Sequence, residues 1–155
     1  MADGRFALVD EDLEVDALWF NWCGGGYKAQ YAVAHTTMGQ NLYLHQLVLP
    51  GVPLIDHRNG NKLDCRRENL REATVQQNAC NMRRHPGSSV PYKGIRPNGR
   101  NWAAWISLSG KNTYLGTFKT AEEAARIYDA AARVAHGAFA CVNFPLDGEQ
   151  GALLQ

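Results

Sequence analysis

Ile55-Asp56-His57-Arg58-Asn59-Gly60-Asn61-Lys62 is the stretch around which the chain is organised. It sets an aspartate beside a histidine and runs on into a turn-prone Asn-Gly loop. Upstream lies the apolar run Leu42-Tyr43-Leu44-His45-Gln46-Leu47-Val48-Leu49, read as a strand, then the rigid corner Pro50-Gly51-Val52-Pro53. Downstream come Asn69-Leu70 and a helix start, Thr74 with Gln77 three residues on, the spacing of a capping box. The helix is expected from Val75 to about Arg84, with Asn78 in its first turn. A short helix packed across a hairpin would gather Asp56, His57 and Asn78 from distant parts of the chain.

That grouping has a chemical meaning. A carboxylate oxygen and an amide oxygen are hard ligands, suited to one magnesium or manganese ion that keeps several positions for water and phosphate. The neighbouring imidazole, with an ordinary pKa near 6.5, is then free to take a proton from water. This is the equipment of a one-metal nuclease. Taken singly, each of these residues reads as a turn or cap residue; their order and spacing beside a basic cluster give the nuclease reading its weight. His45, one histidine in an apolar run, is read as a hydrogen-bonded core residue.

With Asn69 and the Asn-Gly-Asn-Lys-Leu-Asp loop included, the pattern Asp56-His57, Asn69, Asn78 resembles the HNH motif of homing endonucleases. The resemblance implies a ββα-metal fold in which Asp56 and Asn78 bind one divalent metal, His57 is the general base and Asn69 braces the loop. Asn78 stands where the family name has its last histidine, a variant of the homing branch.

The 155 residues suffice for one ordinary domain or two small ones. No apolar run approaches a membrane span, and Met1-Ala2-Asp3-Gly4-Arg5 lacks a signal pattern, so a cytoplasmic protein with no membrane partner is expected. Cys23, Cys65, Cys80 and Cys141 form no C-x-x-C pair, which leaves a structural zinc unsupported and reduced thiols expected. Charge is lopsided: residues 1 to 27 carry a net of minus five, whereas Asp56 to Arg100 holds ten Lys or Arg against four acids, a net of plus six. Such a basic stretch, which includes Arg83 and Arg84, is the footprint expected for phosphate contact, although taken alone it reads rather as a solvated surface of interspersed charge. At the end of the expected helix those two also suit the helix dipole.

Phe6-Ala7-Leu8-Val9 reads as a short strand and Asp10 to Asp16 as an amphipathic turn or two with its carboxylates in solvent. Gly24-Gly25-Gly26 reads as a turn, Tyr27 to His35 as a strand, and Thr36 to Asn41 as a turn around Gly39. His85-Pro86-Gly87-Ser88-Ser89-Val90-Pro91 has linker composition. Beyond it, Tyr92 to Pro97, Trp102 to Leu108 and Thr113 to Phe118 read as three strands joined by Asn98-Gly99 and Ser109-Gly110-Lys111-Asn112. Thr120 with Glu123 opens a helix that Gly137 stops, with Ala124, Ile127, Tyr128, Ala131 and Val134 as its apolar face. The fold class is thus α+β, with a C-terminal three-stranded antiparallel sheet packed on one helix.

Tyr92-Lys93-Gly94-Ile95-Arg96, Trp102-Ala103-Ala104-Trp105-Ile106, Leu115-Gly116-Thr117-Phe118, Thr120-Ala121-Glu122-Glu123-Ala124-Ala125, Tyr128-Asp129-Ala130-Ala131-Ala132 and Val142-Asn143-Phe144-Pro145 resemble the APETALA-type/ethylene-response-factor DNA-binding domain. This domain is found fused to HNH nucleases in phages and bacteria. The resemblance implies a sheet laid in the major groove of double-stranded DNA, with arginines on guanine edges and aromatic residues on the backbone. Lys93 and Arg96 match basic positions of the first strand, and Arg100 lies in the basic first turn. Thr117 and Tyr128 match phosphate-contacting positions. Trp105 replaces the usual glutamate, Ser107 an arginine and Tyr114 a tryptophan, while Asn112 falls near another arginine. These departures remove guanine-reading groups, so the plant target sequence does not transfer. For Trp102, followed by small alanines, core packing is expected.

The expected organisation is an HNH nuclease domain over 1–85 with N-terminal strands, a linker over 86–91, the DNA-binding domain over 92–145 and a tail over 146–155. The expected function is a metal-dependent homing-type endonuclease on duplex DNA, a monomer or alternatively a dimer, in a bacterial or phage-infected cell. The alternative is a catalytically inactive, sequence-specific DNA-binding or regulatory protein.

Overall fold

The computed structural model describes residues 4–14, 17, 19–26, 30–84 and 87–151. The expectations for Val15, Asp16, Leu18, Tyr27, His85, Pro86 and the last four residues lie outside the described residues. The chain is mixed α/β with several small antiparallel sheets, and it divides into two compact units, Met1–Ala73 and Thr74–Gln155. Among the described residues no helix is long and apolar enough to cross a membrane.

The first unit opens with a segment that is bridged rather than stranded. Leu8 N donates to Leu63 O and Cys65 N to Leu8 O, both at 2.8 Å, so Phe6 to Val9 lies against the loop near Asp64 by a single bridge. A turn of 3₁₀ helix, Glu11–Leu13, follows. The neighbouring carboxylates face solvent, Asp12 with 64% of its side chain exposed, and two of them also pair: Asp10 accepts from Arg67 N at 2.8 Å and Asp12 from an Arg67 Nη at 2.6 Å. β1 (Cys23–Gly25), β2 (Tyr31–His35) and β3 (Asn41–Tyr43) form an antiparallel sheet in that order. The glycines expected to turn the chain are therefore mostly strand; Gly26, at φ +73°, does the turning.

The expected strand Leu42 to Leu49 splits. Its front belongs to β3, and α1 (Leu44–Val48) takes the rest, opened where Tyr43 N donates to Gln46 Oε1 at 3.5 Å. Leu44, Leu47 and Val48 have helical i, i+3, i+4 spacing, and Leu44 and Val48 bury on one side. β4 (Ile55–His57) and β5 (Leu70–Glu72) then pair antiparallel. Ala32, Leu44, Val48, Ile55, Cys65 and Leu70 make the core under this hairpin, with Val9, Trp22 and Leu63 at its margin.

In the second unit, α2 (Val75–Cys80) begins with the Thr74–Gln77 capping box and stops four residues earlier than expected, which leaves Arg83 and Arg84 beyond the helix and its dipole. β6 (Ile95–Asn98), β7 (Asn101–Leu108) and β8 (Lys111–Phe118) form an antiparallel meander, with a bulge between Ala104 and Trp105. α3 (Ala121–His136) is capped by Thr120 and Glu123 and ends at Gly137. Its buried stripe is Ala121, Ala124, Ala125, Tyr128, Asp129 and Ala132. Ile127 and Val134, expected to face inward, are exposed, Val134 to 90%. Alanines let the helix approach the sheet closely, and the bulkier residues are turned out. Trp102 packs at the edge of that core beside Ile95, Ala104 and Phe118. Asp129 fastens the far end: its oxygens accept from Asn143 N, Asn143 Nδ2 and Phe144 N at 2.8 to 2.9 Å. β9 (Cys141–Val142) and β10 (Gln150–Gly151) close the unit as a short parallel pair.

Candidate active site

β4 is three residues long and all three are buried. The hairpin register sets Asp56 opposite Arg71 and His57 opposite Leu70. Arg71 donates from Nε and Nη2 to the same Asp56 oxygen, Oδ2, at 2.8 and 2.6 Å. Both side chains are inside, 1% exposed for the aspartate and 9% for the arginine. A buried carboxylate needs such compensation, because its lost hydration costs several kcal/mol on the order of the Coulomb gain.

His57 lies behind it, 1% exposed, with Nε2 4.0 Å from the Cys65 sulfur. Its ring packs edge-on against His45 at 5.2 Å and against Tyr31 at 6.2 Å between centroids. Tyr43 completes the cluster, 5.4 Å from His45 and 5.8 Å from Tyr31, and the Lys62 ammonium sits 6.0 Å from the centre of the Tyr31 ring. β2, β3, α1 and β4 therefore converge on one wall of aromatic and imidazole rings. Burial, then Lys62 and His45, hold His57 down to about 3, with Asp64 pulling weakly the other way. Burial and Lys62 hold His45 down to about 4, and burial pushes the Cys65 thiol up to about 12. Both imidazoles are neutral at pH 7, so each has one nitrogen able to accept a proton.

The loop between the strands is built by side chains. Asn69 Oδ1 accepts from Asn59 N at 2.9 Å and Asn69 Nδ2 donates to Asp64 O at 2.7 Å. Asp64 accepts from Asn59 Nδ2 at 2.8 Å and from Arg66 Nε and Nη2 at 2.9 and 2.8 Å. Its carboxyl lies below the usual range, chiefly through Arg66. Arg66 also meets Glu68 at 3.0 Å.

Asn78 stands in the second unit, half-buried in α2 with its N–H on Thr74 O at 2.9 Å. The structure thus brings Asp56, His57 and Asn69 together within one unit and places Asn78 in the other. Two side chains of the second unit, Lys93 and His136, hold the end of α2. Lys93 Nζ donates to Cys80 O and Met82 O, both at 2.7 Å, and Cys80 Sγ meets His136 Nδ1 at 3.5 Å. Lys93, expected among the DNA-binding residues, is thereby committed to backbone carbonyls. Tyr128, expected likewise, is 5% exposed beneath Gly94, whose φ of +78° and missing Cβ make room for its ring. Arg84 donates to Ser88 O and Val90 O at 2.9 and 3.2 Å, and Arg83 is half-buried.

On the open side of the sheet Arg96, Trp105 and Tyr114 lie across three strands: the Arg96 guanidinium is 5.6 Å and the Tyr114 ring 5.2 Å from the Trp105 ring. Thr117 is exposed beside them, and Arg100 at the β6–β7 turn. Among the described residues no three His, Cys, Asp or Glu side chains are grouped to hold a metal ion. The oxygen donors expected for one, Asp56 and Asn78, are of the type that suits a hard divalent ion retaining water; at Asp56 such an ion would share the carboxylate with Arg71 or displace it. Sequence reasoning missed Arg71, Asp64, Lys62 and Tyr31, and gave His45 no place here. A register pairing 55–57 with 70–72 is the signal that finds Arg71; the others answer only to the folded chain.

A family model described as HNH endonuclease matches residues 49–80. An uncharacterised HNH endonuclease of Acanthamoeba polyphaga mimivirus is 31% identical over 147 residues, covering 90% of this chain and 75% of that protein. Ethylene-responsive transcription factor 3 of Nicotiana tabacum is 51% identical over 61 residues, 37% of this chain and 27% of that protein. Dehydration-responsive element-binding protein 2A of Oryza sativa subsp. indica is 42% identical over 62 residues, again 37% of this chain and only 22% of its own length. The motif, the register that delivers Asp56 and His57, and a relative matched over most of both chains agree: the chain belongs to the HNH endonuclease family, in the form that fuses an HNH motif to an APETALA-type/ethylene-response-factor domain.

Proposed function

We propose that this chain is a metal-dependent, homing-type endonuclease that hydrolyses phosphodiester bonds in duplex DNA. The observation that carries the reading is the β4–β5 hairpin, which sets Asp56 and His57 side by side behind a loop laced by Asn69. In this reading β4, β5 and α2 make the ββα-metal motif of a nuclease domain over 1–85. The segment 86–91 links it to a DNA-binding domain over 92–145, with a tail to 155. Asp56 and Asn78 hold one magnesium or manganese ion. When bound, the ion stabilises negative charge on the scissile phosphate.

His57 accepts the proton of the attacking water. Its low basicity in the free protein comes from burial and from Lys62 and His45. An anionic phosphate entering beside it opposes that push and raises its basicity toward the useful range. Asn69 fixes the loop that follows the base. Arg96, Arg100, Trp105, Tyr114 and Thr117 face the DNA; Arg83 and Arg84 add charge, while Lys93 and Tyr128 support the fold behind that face. A monomer makes one cut and nicks; a double-strand break takes a dimer or two events.

The burial of Asp56 and His57, and the hold of Arg71 on the carboxylate, favour a second reading, a DNA-binding protein without cleavage. Supercoiled plasmid incubated with the protein in magnesium or manganese separates the two. Nicking that disappears with chelator and in His57→Ala supports the endonuclease. Retained DNA binding with no nicking in either metal supports the second reading.

A further inference from the structure

The open face of the β6–β7–β8 sheet carries a shallow cavity of about 550 Å³ lined by Arg96, Pro97, Asn98, Ala103, Trp105 and Tyr114. Its centre is Ala103, which pairs with Arg96 on one side and Thr117 on the other, so a methyl group stands where larger side chains surround it. Trp105 rises beside it, flanked by Arg96 from β6 and Tyr114 from β8. The Arg96 guanidinium already lies over the indole ring, and the Tyr114 ring is tilted against it at 57°. That disfavours the base stacking by which aromatic residues grip single strands.

The polar groups around the notch are turned on one another. The Tyr114 hydroxyl meets Thr117 Oγ1 at 2.7 Å, and Asn98 Nδ2 donates to the same oxygen at 3.1 Å. What the notch presents is therefore apolar surface from Pro97 and Trp105 above a floor made by Ala103, which is 5% exposed, with Arg96 as the charged donor at its rim. A major groove offers one apolar group, the C5-methyl of thymine, and the best acceptors for an arginine are O6 and N7 of guanine.

We infer that this notch reads a thymine methyl, with Trp105 and Pro97 as its walls and Ala103 as its floor, and that Arg96 reads a neighbouring purine. Trp105 is then a specificity-determining residue that replaces a base-edge hydrogen bond with methyl contact. The inference rests on the sheet being the duplex-binding face.

The test uses the full chain in chelator and a duplex selected from a random pool, with each thymine replaced in turn by deoxyuridine, which removes only the methyl. The expected result is about a fourfold loss of affinity at one or two positions, the size of one buried methyl. That loss should be absent in Trp105→Ala, whose fold is checked by its circular dichroism. Selection of a duplex with no deoxyuridine effect at any thymine overturns the inference and leaves the duplex-binding reading intact. Failure to bind any duplex overturns both. The deoxyuridine scan of the unaltered protein decides the matter even if Trp105→Ala fails to fold.

Discussion

Replacing Arg71 by methionine is the most direct probe of the Asp56 site. The substitution keeps the volume of a long side chain and deletes the guanidinium whose Nε and Nη2 lie 2.8 and 2.6 Å from Asp56 Oδ2. With the carboxylate 1% exposed, water cannot replace both bonds. Removing one partner of a buried pair costs about 3–5 kcal/mol, because the other charge stays inside. Whole domains have about 5–15 kcal/mol to lose, and small ones sit at the low end. Arg71→Met should therefore bring the first unit close to unfolding in chelator. Asp56→Asn with Arg71→Met removes the charge as well and should recover most of the loss. If Asp56 is a ligand of the divalent ion, magnesium or manganese supplies the missing positive charge. At a hundredfold excess over its Kd an ion returns about 2.7 kcal/mol. Urea unfolding of the wild type, Arg71→Met and the double variant, each with and without metal, measures every term. A loss below about 1 kcal/mol in Arg71→Met would show that the guanidinium does not sustain the carboxylate. Equal metal rescue of the single and double variants would remove Asp56 from the ion's ligands.

Four further outcomes follow from particular contacts. Asn69→Ala removes the bonds to Asn59 N and Asp64 O and should cost about 2–3 kcal/mol in urea unfolding, with amide exchange rising first in the 58–66 loop. Gly94→Ala forces a side chain at φ +78° into the Tyr128 ring and should destabilise the second unit by more than about 3 kcal/mol, seen as a lowered Tm. His45 is held down to about 4, so in chelator it favours the folded state fully above pH 6.5. That contribution should drain away as pH falls from about 6.5 toward 4, and His45→Phe should flatten this part of a Tm-against-pH curve. Lys93→Met releases the carbonyls of Cys80 and Met82; exchange should quicken over 78–82 and nicking should fall, while duplex affinity stays within about twofold because the ammonium already faces protein.

Local signals carried the second unit. Thr120, Glu123 and Gly137 bracket a helix whose observed span is Ala121–His136, and Asn98-Gly99 marks the turn between β6 and β7. These features act within a few residues, where composition and backbone preference suffice. The inward face of that helix was misjudged for a physical reason. Ranking by hydrophobicity chose Ile127 and Val134, but the close approach to the sheet selects alanines, and both larger residues are exposed. Leu42 to Leu49 shows the other limit. Eight apolar-rich residues fit a strand or a helix, and only the Tyr43–Gln46 cap and the packing of Leu44 and Val48 decide in favour of a break after Tyr43.

The site was legible as a set of residue types and illegible as a set of pairings. Asp56, His57 and Asn69 stand out because their spacing is unusual. Arg71 acquires meaning only through a register fifteen residues long, and Asp10 and Asp12 meet Arg67 across more than fifty. This changes what the charge distribution says. Of the ten cations between Asp56 and Arg100, Arg66, Arg67 and Arg71 hold carboxylates of the same unit, and Lys93 holds two carbonyls. A net charge counted along the sequence therefore overstates the positive surface available to phosphate. It also misplaces that surface, because Asp10 and Asp12 of the acidic N-terminal segment are tied to Arg67 in the basic loop. Electrostatic attraction to DNA depends on the charges left after such pairing. Arg96 and Arg100 are exposed on or beside the open side of the sheet, and under the proposed function they are the charges that face offers to phosphate.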